Sequence, residues 1–579
     1  MPTPISPSGP FQLTVATWFA LAAVAYVVYS IAVVLQWAPH ALYADQWRQY
    51  LDYVNLPFPE NVLHPDNGHR SVFPNLAAWI ELRWLGGNQW LQIGLGVANM
   101  VAAAAGVAWI CLRDREVPLA QRAAAAFLGA FAIFWLANVR TLAHSTELMH
   151  TSIPTMCLMF AALACLAATR NPDTERANHP YAAVLGAMAL GVVATFSFGY
   201  GLATFVAIAA ILIARKASRS QLLLWLAGLI VTAALYVGMP GGDGVRGGLS
   251  VAPPASLLIA ARWLGAPFVV LFTYLWDPIA SGLLPGGPLR RVAHGIAVLA
   301  SDHLSDLHTS VMPYAAFGAF GMCALLWCSW RRLRAATPAG AMEALGLGIA
   351  WFGLASAVIV SVSRLLAFEQ FPDQIYANRY LPWPCLFWLG LGLVALSNAG
   401  GSRRLLSRIT FVFVVLLPLL AWPMQYGGRI FAALVRGQID NTATGSIVGV
   451  VERGSPLGET FSDEFIRAVP VLRPLRIAQF ASRAADMLGK PLPADWHALS
   501  VASIDVRTIE DNLLGDPGTA VTAHLPAAAS SQPEELALVD ANDVVVGFVV
   551  VDARIEPPGY SGYALGVQSA AGLHVASTN

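Results

Sequence analysis

Residues 13–37 read LTVATWFALAAVAYVVYSIAVVLQW, a run without one formal charge. The first charged side chain of the whole chain is Asp45, so an uncharged stretch of forty-four residues precedes it. As a helix rising 1.5 Å per residue, such a run crosses the roughly 30 Å hydrocarbon core of a bilayer once. It has no basic segment before it and is too long for the apolar core of a cleaved leader, so it reads as a retained anchor.

The pattern repeats along the chain. Of 579 residues, 56% are hydrophobic and only 12% charged, with mean hydropathy +0.58. A soluble domain carries about twice that charge. Apolar runs recur near 90–111, 122–139, 148–168, 181–198, 201–214, 221–239, 309–330, 344–363, 380–398 and 409–426. They are continuous, not amphipathic, which defines a polytopic α-helical membrane protein of about eleven spans. Within residues 251–307, the segment 255–284 is apolar but broken by Arg262, Gly265, Pro267 and Asp277. The stretch reads as a re-entrant or interfacial helix, or as part of an extra pair that would bring the count to thirteen.

Orientation follows from the basic loops. Arg113 and Arg115, Arg170 and Arg176, Arg215 with Lys216 and Arg219, Arg331 with Arg332 and Arg334, and Arg403 with Arg404 and Arg408 follow alternate spans. Positive charge marks the cytoplasmic side, so the N-terminus is expected in the cytoplasm and the C-terminal part outside. The 34 basic and 34 acidic residues balance, and nothing favours nucleic acid as a partner. All basic residues but Lys216 and Lys490 are arginine; this composition points to a GC-rich bacterial genome, hence to an inner membrane with a periplasmic outer face.

After residue 426 the composition changes. Residues 1–426 form the transmembrane part with its external loops, and 427–579 an external α+β domain of ordinary domain size. Alternating runs at 536–540 and 544–552, separated by Ala541-Asn542-Asp543, read as a hairpin, and 563–567 with 573–576 as a second. Residues 463–488 are helical in pattern, interrupted by Pro470 and Pro474. The six cysteines all lie in or beside apolar runs, so no disulfide framework or zinc spacing exists in the outer domain. The Gly- and Pro-rich stretch 240–248 reads as a mobile external loop.

Chemistry concentrates in three loops on the outer side. The first holds Asp45-Gln46-Trp47 and His64-Pro65-Asp66-Asn67-Gly68-His69-Arg70; the second His144 and Glu147; the third Arg364, Tyr376, Arg379 and Tyr380. A sugar hydroxyl has a high pKa and needs a carboxylate to take its proton as it attacks an anomeric carbon. A departing lipid phosphate gains negative charge, which guanidiniums hold bidentately. Asp45 is therefore the candidate base, with Glu147 as a second, acceptor-side carboxylate. Arg70, Arg364 and Arg379 are candidate phosphate ligands, His69 and His144 further binding groups, and Trp47 and Tyr380 candidate platforms for a sugar ring.

An acidic residue just after the first span, at the head of a long external loop, resembles the GT-C superfamily of membrane glycosyltransferases. The resemblance covers about residues 10–425. It includes interfacial helices, as 47–54 and 73–84 could form, a seven-span module followed by a large external loop at 240–308, and a soluble outer domain. The Asn67-Gly68-His69-Arg70 segment and the Arg364…Arg379-Tyr380 arrangement are similar to bacterial members of that group. The resemblance implies transfer of a sugar from a polyprenyl-phosphate donor to a glycan, lipid or protein acceptor, at the outer face of the membrane, by inversion. Many members carry two adjacent acids or an acid-x-acid at this place; here Asp45 is followed by Gln46 and Trp47, with Asp52 next. That pattern does not support a divalent metal, and no metal ligands are assigned. Two other readings stay open: a transporter or flippase of lipid-linked or small polar substrates, and a non-catalytic subunit of cell-envelope assembly.

Overall fold

A computed structural model describes residues 9–169, 180–239, 252–304, 311–398 and 404–578, apart from 276, 527–532, 534, 553–554, 556–558 and 568. Twelve apolar helices form among these residues: α1 Pro10–Trp37, α2 Trp90–Arg113, α3 Leu119–Ala143, α4 Ser145–Ala168, α5 Pro180–Thr195, α6 Gly199–Ala214, α7 Arg219–Gly238, α8 Pro253–Leu271, α9 Val311–Arg334, α10 Ala341–Ser363, α11 Pro382–Ser397 and α12 Arg404–Val448. Each apolar run of the sequence becomes one of them; α8 is the addition. The outward faces keep large bare apolar side chains, such as Leu21 and Val24 on α1, Ile230 and Val231 on α7 and Leu419 on α12. An apolar exterior over an apolar interior suits lipid as the surrounding solvent. The protein is a multi-pass membrane protein.

The basic loops meet at one end of the bundle. Arg215, after α6, donates to the carbonyls of Thr169, after α4, at 2.9 Å and of Ala339, before α10. Lys216 donates to the carbonyl of Leu333 in α9 at 3.3 Å. Asp114, after α2, accepts from the Met342 amide at 2.8 Å, and Gln121 donates to Ser407 of α12 at 2.9 Å. Arg170, Arg176 and Arg403 lie outside the described residues. This shared end is what the positive-inside pattern requires. In spheroplasts, a membrane-impermeant maleimide is expected to label Asp516→Cys of the outer domain directly, and Arg334→Cys only after permeabilisation. The reverse pattern would invert the assigned sidedness.

Helix α8 takes up the first part of the ambiguous stretch. A Cβ on Gly265 would sit 1.9 Å from the Tyr314 carbonyl oxygen, and one on Gly318 would sit 1.8 Å from that of Ala261. The pairs 265/314 and 261/318 make α8 and α9 antiparallel, in backbone contact that only these small residues allow. Because α9 ends at the arginine end, α8 runs away from it, as α7 does. Residues 253–271 are thus a bundle helix, whereas the rest of the stretch forms the short helix Pro278–Gly282 and the amphipathic helix Pro288–Leu304; residues 240–251, which carry the expected mobile loop, lie outside the described residues.

The C-terminal domain, termed the outer domain for its expected side, departs from its expected edge. Helix α12 continues unbroken through the composition change at 427 to Val448, as one element of 45 residues that carries the last span into the outer domain. Beyond it lies a seven-stranded antiparallel sheet in the order β1-β7-β4-β5-β6-β3-β2, built from β1 His497–Leu499, β2 Ser503–Ile509, β3 Gly518–His524, β4 Glu535–Val539, β5 Val545–Val551, β6 Gly559–Ala564 and β7 His574–Ser577. The hairpin β4–β5 forms as expected, whereas β6 and β7 do not pair with each other: β6 lies between β3 and β5, and β7 between β1 and β4. The helical pattern after 463 yields Ser462–Leu472 and then only short turns.

Candidate active site

Opposite the arginine end, the first loop folds over the bundle. Its helix Gln46–Asn55 turns Trp47, Tyr50 and Tyr53 inward, while Arg48 stays on its other face. Trp47 packs on Phe465 and Phe480 of the outer domain, with ring centroids at 4.8 and 6.3 Å. It is 1% exposed, so it docks the outer domain and is not a platform for a sugar ring. Asp45 precedes this helix without capping it, which leaves its carboxylate free for side-chain partners.

The segment Asp66-Asn67-Gly68-His69 closes a two-residue turn. The amide of each end residue bonds the other's carbonyl, at 3.0 and 2.8 Å, and Asn67 and Gly68 both have positive φ (49° and 77°). Asn-Gly is the pair that tolerates this geometry best. The turn brings the Asn67 amide to 3.3 Å from Asp45 and sets His69 beside Arg364. Arg70 points elsewhere: it donates to the carbonyls of Tyr236, at 2.8 Å, and Met239, where it holds the C-terminal end of α7. It does not line the pocket, so the phosphate role expected of it is withdrawn.

The pocket itself has a volume of about 260 Å³. It gathers Asp45, His69, His144, Glu147, Arg364, Arg379 and Tyr380 from three separate loops, and adds Asp66, Asn67, Arg140, His150, Tyr200 and Phe461. Glu147 and Arg140 form an ion pair at 3.0 Å, so the carboxylate expected to serve chemistry is committed to a guanidinium. Arg379 donates to Gln374 at 3.2 Å and lies over the Tyr380 ring at 5.1 Å. Asp45 is the half-exposed carboxylate of the pocket, 47% accessible, and holds Arg48 at 3.1 Å. Arg48 also binds Asp66 at 2.6 Å and Glu464 of the outer domain at 3.4 Å; against burial, which lowers its pKa, Asp66 and Asp45 raise it.

Two histidines of the pocket, His69 and His144, are held toward the neutral form. Burial, helped by the Arg364 guanidinium and the His150 ring, pushes His69 from 6.5 down to about 3. Arg364 donates to its Nε2 at 3.3 Å, which places the ring proton on Nδ1. Burial also lowers the pKa of His144, whose Nδ1 accepts from the Glu147 amide at 3.3 Å. Nε2 of His144 and of His150, Oε2 of Glu147 and Nε of Arg140 are buried without a hydrogen bond among the described residues. Orphaned polar atoms of this kind are uncommon in native structures and mark a place for a ligand or water.

These shifts have a sign. A histidine neutral in the fold and titrating near 6.5 when unfolded contributes stability that is complete above 6.5 and is lost as pH falls toward its folded value. Melting of the detergent-solubilised protein is therefore expected to fall from pH 7 to pH 4.5, and less steeply in His69→Gln. Equal slopes would mean that His69 is not held neutral.

A second cavity, apolar and about 470 Å³, runs along the bundle below the first. Leu128, Phe131 and Trp135 of α3, Phe268 of α8, Trp388 of α11 and Phe413 of α12 line it. Helix α3 also supplies Arg140 to the polar pocket, and Arg379, Tyr380 and Trp383, at the start of α11, do the same. The two cavities thus share α3 and α11 as walls.

Among the described residues no three His, Cys, Asp or Glu side chains group to hold a metal ion. Asp45 and Asp66 both hold the Arg48 guanidinium, an arrangement that does not fit a divalent ion between them.

No family model and no curated protein matches the chain. Solved structures of the oligosaccharyltransferase of Archaeoglobus fulgidus align at low similarity. The complex with Zn and sulfate shares 13% identity, over 77% of this chain and 57% of that one, with a TM-score of 0.36. The enzyme with an inhibitory peptide and a dolichol-phosphate shares 14%, over 78% and 60%, with a TM-score of 0.34. The form tethered to an acceptor peptide shares 15%, over 77% and 59%, with a TM-score of 0.36. This chain spans less than two thirds of their length, and a likeness at this level carries no argument about its chemistry.

Some residues at the site carry little or no signal in the sequence. His144, Glu147 and His150 recur every three residues, the spacing of one helix face, so His150 is within reach of that pattern. Phe461, in the pocket wall, and Glu464, behind Arg48, come from the outer domain and have no local signal.

Proposed function

We propose that the protein is a membrane glycosyltransferase of GT-C type that moves a sugar from a polyprenyl-phosphate donor to an acceptor at the outer face of a bacterial inner membrane. One observation carries the reading: a polar pocket with one half-exposed carboxylate and three guanidiniums shares two wall helices, α3 and α11, with an apolar crevice of the bundle. That is the shape of an amphiphile with an anionic head and a long apolar tail.

In this reading the tail lies in the crevice and the phosphate meets Arg364 and Arg379, with Arg140 held in place by Glu147. The acceptor hydroxyl attacks the anomeric carbon from the side of Asp45. Its oxygen forms the new glycosidic bond, its proton passes to the Asp45 carboxylate, and the bond from the anomeric carbon to the phosphate oxygen breaks. The electron pair leaves with the polyprenyl phosphate, where the guanidiniums stabilise it. Attack opposite the leaving group inverts the anomeric centre. Neutral His69 accepts from Arg364 and adds no competing charge. No step requires a metal.

Arg364→Ala and Arg379→Ala each remove a charge-assisted contact of about 1.5–3 kcal/mol, so polyprenyl-phosphate affinity is expected to fall about 10–100-fold. Turnover should fall as well, because the contact exists in ground and transition states alike. Thermophoresis of the solubilised variants with polyprenyl phosphate tests this. Full affinity in both variants would move the phosphate elsewhere; no affinity in the wild type would remove the lipid donor and favour a transporter.

A further inference from the structure

A polar cavity of about 530 Å³ lies in the outer domain, distinct from the pocket of Asp45. Its floor is one half of a sheet face. The cross-strand row Phe548, Tyr563, Ala520, Arg507 runs from β5 through β6 and β3 to β2, and Val550, Ser561, Thr522, Asp505 runs beside it. Each row starts apolar over the domain core and ends polar, so the β2 side of the face is not built to be packed shut. The distal end of α12 covers it: Asn441 donates to Ser561 at 2.6 Å, and Ser561 to the buried Asp552 at 2.8 Å. Arg507 is held by both oxygens of Glu452 at 2.9 Å.

Polar residues in fixed orientation around a space of this size, within the range of small-ligand sites, select a ligand rich in hydroxyls. Three carboxylates (Glu452, Asp505 and Asp552) stand against one guanidinium, which disfavours a phosphate or another anion. Pro456 and Leu457 supply an apolar wall for the C–H face of a pyranose ring.

Position connects this cavity to the reaction. Leu457 lines it, and Phe461, whose amide bonds the Leu457 carbonyl at 2.9 Å, lines the pocket of Asp45. One helical turn, about 5.4 Å of rise, separates the two walls. We propose that the outer-domain cavity seats the neutral saccharide part of the acceptor, a few sugar units back from the hydroxyl that receives the new residue. This rests on the glycosyltransferase reading above and adds the acceptor class to it.

The test uses the full-length protein in nanodiscs and fluorescent neutral tetrasaccharides (a β-1,4-glucan, a β-1,4-linked N-acetylglucosamine oligomer and an α-1,6-mannan), with a lysine-rich decapeptide beside them. At least one tetrasaccharide is expected to bind wild type and Asp45→Asn equally. Thr522→Trp, which fills the cavity, and Asp505→Ala, which removes an exposed carboxylate without threatening the fold, should weaken binding about 10-fold or more at unchanged melting temperature. No tetrasaccharide binding, binding untouched by both variants, or capture of the decapeptide alone would overturn the proposal. The two readings fail separately. Saccharide binding lost in Thr522→Trp, with no lipid donor supporting transfer, would sink the transferase and leave the site; transfer at wild-type acceptor KM in both variants would sink the site and leave the transferase.

Discussion

Asp45→Asn is expected to lower sugar transfer by about 10²–10⁴-fold, the usual cost of losing a general base. The amide keeps the shape of the side chain but cannot take the acceptor proton. It also withdraws the negative charge that faces a developing oxocarbenium ion. Stability should hardly change. The Asp45–Arg48 pair is 47% and 27% exposed, and pairs of that kind are worth about 0–1 kcal/mol. Arg48 keeps Asp66 and Glu464 as partners in any case. Polyprenyl-phosphate affinity should hold too, since the guanidiniums are untouched. Transfer of a radiolabelled sugar, measured with melting and donor binding on the same preparation, separates these effects. Transfer near the wild-type rate would mean that another group is the base.

Arg140→Ala is expected to fail in the opposite way, through the fold. The Arg140–Glu147 pair is only 25% and 20% exposed, and Oε2 of Glu147 is already buried without a partner. Deleting the guanidinium strands a carboxylate beside a neutral His144, at a cost on the order of 3 kcal/mol. The double change Arg140→Met with Glu147→Leu removes both charges and should restore most of the stability, because an apolar pair of similar volume replaces a buried ion pair nearly neutrally. It should not restore transfer, since Arg140 no longer faces the phosphate. Melting temperature and transfer rate of the single and double variants decide this. A double variant as unstable as Arg140→Ala would show that the pair is held by packing and not by charge.

Part of the site is legible in the sequence. Asp45, His69, His144, Glu147, Arg364, Arg379 and Tyr380 stand out because ionisable and aromatic residues between long apolar runs are few, and they do line one pocket. Trp47 and Arg70 stand out by the same criterion and do not. Both lie in the first loop, but the side-chain direction from a helix face or turn, not residue type, decides what a group touches. Trp47 is on the inward face of its helix, and Arg70 follows a tight turn that reverses the chain.

Hydropathy alone determined the membrane-spanning helices, and basic loops alone their common end, because both follow from local composition and the cost of taking charge and bare peptide groups into lipid. The β4–β5 hairpin is readable for a similar reason: its period and its turn are local. Only the tertiary structure decided the rest. Glu464 reaches Arg48 across 416 residues, Gln425 reaches Tyr26 across 399, and Asn441 meets Ser561 from a helix that began in the bundle. Contacts of that separation are selected by packing of whole elements, whose loop-closure entropy and shape leave no periodic trace in the chain. The union of the outer domain with the pocket, through Phe461 and Glu464, belongs to that second kind.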